Sequence, residues 1–400
     1  MINTILLVAG LAVQALSAPL PQRLLPRAEV RPKVKSTNYA ANVTDPSLSR
    51  DSCGSSRVGG RALWTCRDTT LYDAGKDECS LPLVTNTASW TNMDMTKGGP
   101  HFETGAVGAG SSGSNNILKM YGNNAYSLNT YFQVLEDECP TNGVCPDSSR
   151  WAIWPDQPPV ITDSAMDGGA TGYTWIAKSH LRELTSLNAE PAHTLYKTSY
   201  TPGLDPNALP TVSVVDSQFW KEGEIGFGQY GSVVRDNTLY LYGQTDASKG
   251  TVLAKVPTSS VEDRSTYQYH VNGAWTSTMP GINDTSAIIP NAGAGGQGTF
   301  YYSTAYQSYI WIGQQAISAS ADFYMSTAPA PEGPWIEPYL IFQGKNGDDP
   351  IGGYSLQAHP ALLPSGDASE KGIYISWTQQ FEKESYGAVY NTPLVWVEFE

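Results

Sequence analysis

The chain is 400 residues long, and its 24 lysines and arginines stand against 38 aspartates and glutamates, a formal charge of −14. That balance repels phosphate backbones and excludes nucleic acid as the expected partner; neutral or cationic ligands remain. No GxGxxG fingerprint sits between a strand and a helix, and no GxxxxGK[ST] loop, HExxH pair or GxSxG elbow occurs. Dinucleotide, nucleotide-phosphate, zinc-peptidase and serine-elbow chemistries therefore have no signature here.

At the N-terminus, Ile5 to Leu16 is an almost unbroken apolar run, followed by small residues at Ser17 and Ala18. The run is shorter than the ~20 residues that span a bilayer, and Pro19 and Pro21 end it. Residues 1–18 are expected to be a cleaved signal peptide, and the protein to be secreted to the extracellular space with no membrane attachment. Asn42-Val43-Thr44 and Asn283-Asp284-Thr285 are sequons, so Asn42 and Asn283 are the expected glycan sites. Residues 19–49 are rich in proline and in basic side chains (Arg23, Arg27, Arg31, Lys33, Lys35) and read as a flexible leader or pro-segment. That leaves 50–400 as the folded domain.

Five cysteines, Cys53, Cys66, Cys79, Cys139 and Cys145, cannot all pair within one chain. Cys139 and Cys145 bracket a turn-rich loop that a disulfide closes easily; pairing among the other three stays open. With no CxxC pair, no metal site is expected.

Short runs rich in Val, Ile, Thr, Tyr and Trp dominate the rest. Strands are expected at Arg61 to Cys66, Tyr173 to Ala177, Tyr230 to Val234, Thr238 to Tyr242, Thr299 to Ser303, Tyr309 to Gly313, Asp322 to Ser326, Ile373 to Trp377 and Leu394 to Phe399. Asp236-Asn237 reads as a tight hairpin turn. Only Ser179 to Leu187 suggests a helix. The strands recur in groups that begin near Cys53, Tyr126, Phe227, Thr299 and His359. The expectation is an all-β fold, a five-bladed β-propeller closed by radial repetition, with a two-sheet sandwich as the rival.

The chemistry-bearing residues cluster early. Asp51 precedes the strand group at Cys53, and Asp68 follows Arg61 to Cys66, one hairpin later. In a propeller both positions can face one cleft, as glycoside hydrolysis requires of a carboxyl pair; turn capping is the alternative at each. Glu224, in Lys221-Glu222-Gly223-Glu224, is a reserve acid. Arg67 adjoins Asp68, where its charge would favour the carboxylate. Trp64 is a candidate sugar platform among 11 Trp and 23 Tyr, and His101, in a Gly-rich loop, can reach a cleft.

From Arg50 to Thr69 the pattern resembles the opening of a secreted propeller family known as domain of unknown function family 4185. Arg235-Asp236-Asn237-Thr238-Leu239-Tyr240, Met325-Ser326-Thr327-Ala328-Pro329 with Gly333-Pro334-Trp335, and Gln357-Ala358-His359-Pro360 are similar to its later blades, in a fungal-type branch. The resemblance implies a five-bladed propeller whose relatives include glycoside hydrolases such as endo-D-arabinanases, with Asp51 and Asp68 as catalytic carboxyls. It also implies that His359 helps hold a metal or the substrate near the channel, an orienting hydrogen bond being the alternative role. Arg67 departs from the family, which usually has Gly there. The leading expectation is a monomeric glycoside hydrolase acting on an arabinofuranose-containing or similar polysaccharide or oligosaccharide, without a required cofactor, although calcium fits such a channel. A non-catalytic glycan-binding propeller and a polysaccharide lyase are the alternatives.

Overall fold

The computed structural model describes residues 29–400 except 74, 77, 95–97, 106–115, 123–128, 141, 204, 247–248, 317, 349–350, 365–369 and 383–387. The expected signal peptide, residues 1–18, lies outside them. Among the described residues there is no α-helix, only strands and short 3-10 turns.

Five antiparallel sheets stand around an axis. Blade 1 is built from Gly54–Val58, Arg61–Cys66, Thr87–Asp94 and Gly99–Pro100. Blade 2 runs from Val160–Ser164 through Ala170–Ala177 and His193–Tyr200 to Thr211–Trp220. Blade 3 comprises Gly231–Arg235, Thr238–Gln244, Thr251–Pro257 and Gln268–Val271, with Ala274–Thr276 added at its edge. Blade 4 comprises Gly295–Ser303, Ser308–Gln315, Asp322–Ala328 and Tyr339–Gln343. Blade 5 begins with Gly353–Ala358, Gly372–Glu382 and Pro393–Phe399. The first strands of successive blades lie side by side around the axis. The fold is a five-bladed β-propeller.

The fourth strand of blade 5 comes from the other end of the chain. Val34–Thr44 pairs antiparallel with Pro393–Phe399, from Val34 opposite Phe399 to Asn42 opposite Pro393. The expectation of a flexible leader over 19–49 is corrected there: Lys33 and Lys35 are exposed, while Ala41 and Val43 enter the core. Upstream, the Arg31 guanidinium sits 4.4 Å from the Tyr339 ring centre, Tyr339 donates to the Pro32 carbonyl at 2.8 Å, and Thr327 donates to the Val30 carbonyl. The same pairing corrects the glycan expectation at Asn42. Its side chain is fully buried and accepts from Tyr39, so no glycan can be attached to it in the folded chain. Asn283 is exposed.

Each blade interface is filled by apolar side chains in the interdigitated manner of closed sheets. Trp64 packs with Val43, Leu362 and Leu394 between blades 1 and 5. Trp90 and Leu63 meet Ile161 and Tyr200 between blades 1 and 2. Trp175, Phe219 and Trp220 meet Phe227 and Tyr267 between blades 2 and 3. Tyr242 stacks on Phe300 at 3.7 Å between blades 3 and 4, and Phe323 packs on Trp377 between blades 4 and 5.

Two further expectations are corrected. Blade 2 begins at Val160 rather than near Tyr126, which lies outside the described residues; Pro155, Pro158 and Pro159 mask the approach to its first strand. The helix expected over Ser179 to Leu187 is a hairpin, Ser179–Arg182 with Thr185–Ser186. Its Leu181, Leu184, Leu187 spacing imitates a helical stripe, but Leu184 is exposed and Glu183 turns the chain at φ +57°. Asn188 fastens the hairpin, donating to the Lys178 carbonyl at 2.8 Å and accepting from the His180 amide at 3.0 Å. Cys53 pairs with Cys66 and Cys139 with Cys145, while Cys79 keeps its thiol in a buried position.

Two outcomes follow. A chain begun at Ser36 loses the Arg31, Pro32 and Val30 contacts and should melt a few degrees lower than one begun at Glu29, about 2–3 kcal/mol, as differential scanning calorimetry would measure. Produced through a secretory host, the protein should lose a glycan's mass on Asn283→Gln and none on Asn42→Gln, read by mass spectrometry.

Candidate functional site

The leading loops of the blades' inner strands converge on one face. A small accessory sheet places the first two acids there. Leu48–Arg50 pairs with Thr69–Asp73, Arg50 opposite Thr69. The next residues outward are Asp51 and Asp68, and the ladder continues between them: the Asp51 amide donates to the Asp68 carbonyl and the Arg67 amide to the Asp51 carbonyl, each at 2.9 Å. The Cys53–Cys66 disulfide ties down the same corner. The sequence expectation that Asp51 and Asp68 lie together is met.

Their surroundings differ. Asp51 is buried and accepts from the Ser52 hydroxyl at 2.5 Å, with the Tyr354 hydroxyl a second donor. Ser52 and Ser355 both sit at positive φ, +48° and +54°, and their hydroxyls meet at 2.5 Å; the Ser52 amide donates to Thr378 at 3.0 Å. Left-handed backbone at two non-glycine residues beside one carboxyl is strain of the kind found at functional sites. Asp68 receives a fork from Arg150, 3.0 Å to Oδ1 and 2.6 Å to Oδ2, and the Trp154 indole N–H at 2.9 Å. Arg150 arrives on the strand Arg150–Ala152, which pairs with the Ser179–Arg182 hairpin.

Arg67 does not pair with Asp68, as its position in the sequence suggests. Its guanidinium forms an ion pair with Asp156, in the leading loop of blade 2. Asp156 also accepts from Gln229 of blade 3 at 2.9 Å, and the Gln229 carbonyl oxygen meets His193 Nε2 at 2.6 Å. The Trp154 ring lies 5.6 Å from the Arg67 guanidinium and 5.2 Å from that of Arg150.

The cluster thus holds three carboxyls, Asp51, Asp68 and Asp156, against two guanidiniums, and it is electrically neutral when one carboxyl is protonated. Asp51 is the one without a cation of its own. Burial pushes it up to about 6, and Asp68 adds to the rise, while Arg67 and the hydroxyls of Ser52 and Tyr354 pull the other way. An acid that keeps its proton to that pH suits proton donation to a leaving group.

Beside Asp156 a cavity of about 380 Å³ opens between blades 2, 3 and 4, lined by Glu190, His193, Glu224, Gln229, Asp246 and Lys249 among others. Asp51 and Asp68 lie outside it, connected to its wall through Arg67 and Asp156. Gln157 crosses the floor, donating to the carbonyls of Tyr230 and Gly298 at 3.2 and 2.9 Å, and separates it from a cavity of about 340 Å³ in the far half of the channel. Among the described residues, no group of three or more His, Cys, Asp or Glu is placed to hold a metal ion.

Other expected residues are placed elsewhere. Glu224 lines the cavity but is paired with Arg264 at 2.9 Å and accepts the Lys221 amide at 2.8 Å, apart from the Asp51–Asp68 pair. His359 is completely buried; its nitrogens meet Ser55 at 2.8 Å and Ser376 at 2.7 Å, and burial pulls it down to about 3. It locks blades 1 and 5 together and presents nothing to a ligand. The Trp64 ring lies tilted against it with centroids 4.8 Å apart, is equally buried, and is core rather than platform. His101 is exposed beyond the outermost strand of blade 1, away from the axis. Sequence reasoning missed Arg150, Asp156, Tyr354 and Gln229. The only signal available was their position just ahead of, or at the start of, an inner or accessory strand.

No protein-family model matches the chain, and no curated protein matches its sequence; the resemblance to domain of unknown function family 4185 is not carried by a family match. Solved structures are similar in fold. A Bacteroides ovatus protein provisionally classed as a hydrolase is 14% identical, with 88% of this chain and 87% of that one covered at a TM-score of 0.57. A family 117 glycoside hydrolase of Zobellia galactanivorans is 11% identical (92% and 90% covered, TM-score 0.44). An endo-1,5-α-L-arabinanase of Thermotoga petrophila is 10% identical (89% and 74% covered, TM-score 0.42). At these identities the likeness is one of fold.

The elevated Asp51 has a thermodynamic signature. Its folded pKa lies above its unfolded value, so the native state binds the proton more tightly. The resulting stability is full below about pH 4 and lost as pH rises through about 6. Asp51→Asn should therefore raise stability above pH 7 by up to about 3 kcal/mol and flatten the change between pH 4 and 7, measured by urea unfolding at each pH.

Proposed function

We propose that this chain is a secreted glycoside hydrolase acting on an arabinofuranose-containing or similar polysaccharide. The observation that carries this reading is one pair of adjacent buried carboxyls held in dissimilar surroundings, Asp51 without a cation and Asp68 clamped by Arg150 and Trp154. Asp51 donates its proton to the glycosidic oxygen as the bond breaks. Asp68 attacks the anomeric carbon or activates water, the two being the acid and the carboxylate such hydrolysis needs. The neighbouring cavity, which Asp51 and Asp68 adjoin but do not line, receives the adjacent part of the glycan; among the described residues its basic side chains are His193 and Lys249 alone. The fold shared with the Bacteroides ovatus protein supports this, and so does the likeness of the Arg50 to Thr69 segment to domain of unknown function family 4185. Calcium in the channel is not required by this scheme. Two disulfides suit an oxidising compartment, and no helix among the described residues is long and apolar enough to cross a membrane.

A specific observation favours a second reading, a non-catalytic glycan-binding propeller: both oxygens of Asp68 are already engaged. A lyase acting on uronates is disfavoured, because the two guanidiniums that would neutralise a uronate, Arg67 and Arg150, are committed to Asp156 and Asp68.

The deciding experiment is product release from arabinans, other plant and fungal polysaccharides and arabinogalactan, followed by reducing ends and chain length. Shortening by the native protein, with a loss of at least about 100-fold in Asp51→Asn and Asp68→Asn, supports the hydrolase. Retention of a glycan without shortening establishes the binder, and an ultraviolet-absorbing product the lyase.

A further inference from the structure

Arg67 stands between two carboxylates and pairs with the more distant one in sequence. Its backbone is bonded to Asp51, yet its side chain crosses to Asp156 on the next blade. Three contacts fix it there. Asp156 is held from the far side by Gln229, Gln229 is held by His193, and the Trp154 ring flanks the guanidinium. Gly226 leaves the room that this chain of contacts needs: a Cβ on it would lie 2.2 Å from His193 Nε2.

We propose that Asp156 is a positioning residue, which anchors the Arg67 guanidinium at the seam of blades 1 and 2 and keeps it from closing on Asp51. The inference rests on the reading of Asp51 as the acid. Arg67 is largely but not fully buried, with an Nε that has no partner among the described residues, and it is attracted by both Asp156 and Asp51. Remove the charge of Asp156 and only Asp51 remains to balance it. The guanidinium then turns to Asp51, which is converted to a paired carboxylate and ceases to be a proton donor near pH 6. The other groups facing Asp51 are Asp68 of blade 1, the hydroxyls of Ser52, Tyr354 and Tyr390, and Arg150 on the accessory strand. None of them changes partner in this exchange.

The test titrates Asp51 itself, so it does not depend on finding a substrate. Full-length secreted protein labelled with carboxyl-13C aspartate is followed by NMR from pH 3 to 8, the Asp51 signal being assigned by its loss in Asp51→Asn. The native midpoint is expected near 6, and Asp156→Asn should lower it by about one unit or more. Arg67→Gln should raise it, and Arg67→Gln/Asp156→Asn should titrate like Arg67→Gln alone, because Asp156 acts only through Arg67. An unchanged midpoint in folded Asp156→Asn, or independent shifts that add in the double variant, overturns the proposal. Should Asp156→Asn fail to fold, Gln229→Leu, which frees one side of Asp156, should move the midpoint in the same direction, and no movement there overturns it equally. If the midpoint moves as expected but no glycan is cleaved, the positioning role stands and the hydrolase reading falls.

Discussion

The arrangement depends on one pairing, Val34–Thr44 against Pro393–Phe399. A ring of five sheets is closed only when its last blade is completed, and here the completing strand comes from the opposite terminus. Without it, Pro393–Phe399 would be an open edge with unpaired amides and carbonyls. The apolar seam from Ala41 to Leu394 would also face water. The site depends on the same closure. Asp51 leads into blade 1, whereas Ser355, Tyr354 and Thr378, which contact it or its neighbour Ser52, belong to blade 5. The two blades meet only if the ring is shut, with His359 bridging Ser55 and Ser376 across the join.

Within that frame the chemistry is set by counting buried charge. Two guanidiniums and three carboxyls share a region from which water is largely excluded, and isolated charge is expensive there. Arg150 takes Asp68 by a two-pronged contact and Arg67 takes Asp156, leaving Asp51 with hydroxyl donors only. Raising Asp51 is the cheapest way for the cluster to reach neutrality. The protein bears this in reduced stability at neutral pH, together with the two left-handed serines, as expected where a site is shaped for function rather than for folding.

The sequence made the local pieces readable. β-rich runs with turn residues between them identify strands, whether one face is partly wet, as in Thr238–Gln244, or the run is buried throughout, as in residues 308–314. The Asp236-Asn237 turn was readable too, since both residues take positive φ. Asp51 and Asp68 stood out because a two-strand ladder separates them. The failures share a cause. Val34–Thr44 looks like a leader because its partner is more than 300 residues away. The Leu181, Leu184, Leu187 spacing imitates a helix because nothing local reveals that Leu184 faces solvent. Trp64 suggested a sugar platform by residue type and His359 a substrate-holding role by resemblance, and burial decided otherwise at both.

By itself, then, the sequence determined the class of fold and one acidic pair, because strand alternation and a short ladder are local properties of the chain. Tertiary structure alone decided which cation each acid meets. Arg67 reaches past its neighbour to Asp156, Arg150 crosses from an accessory strand to Asp68, and Asp51 is left without either. That allocation is a property of three loops brought together around an axis, and no spacing along the chain encodes it.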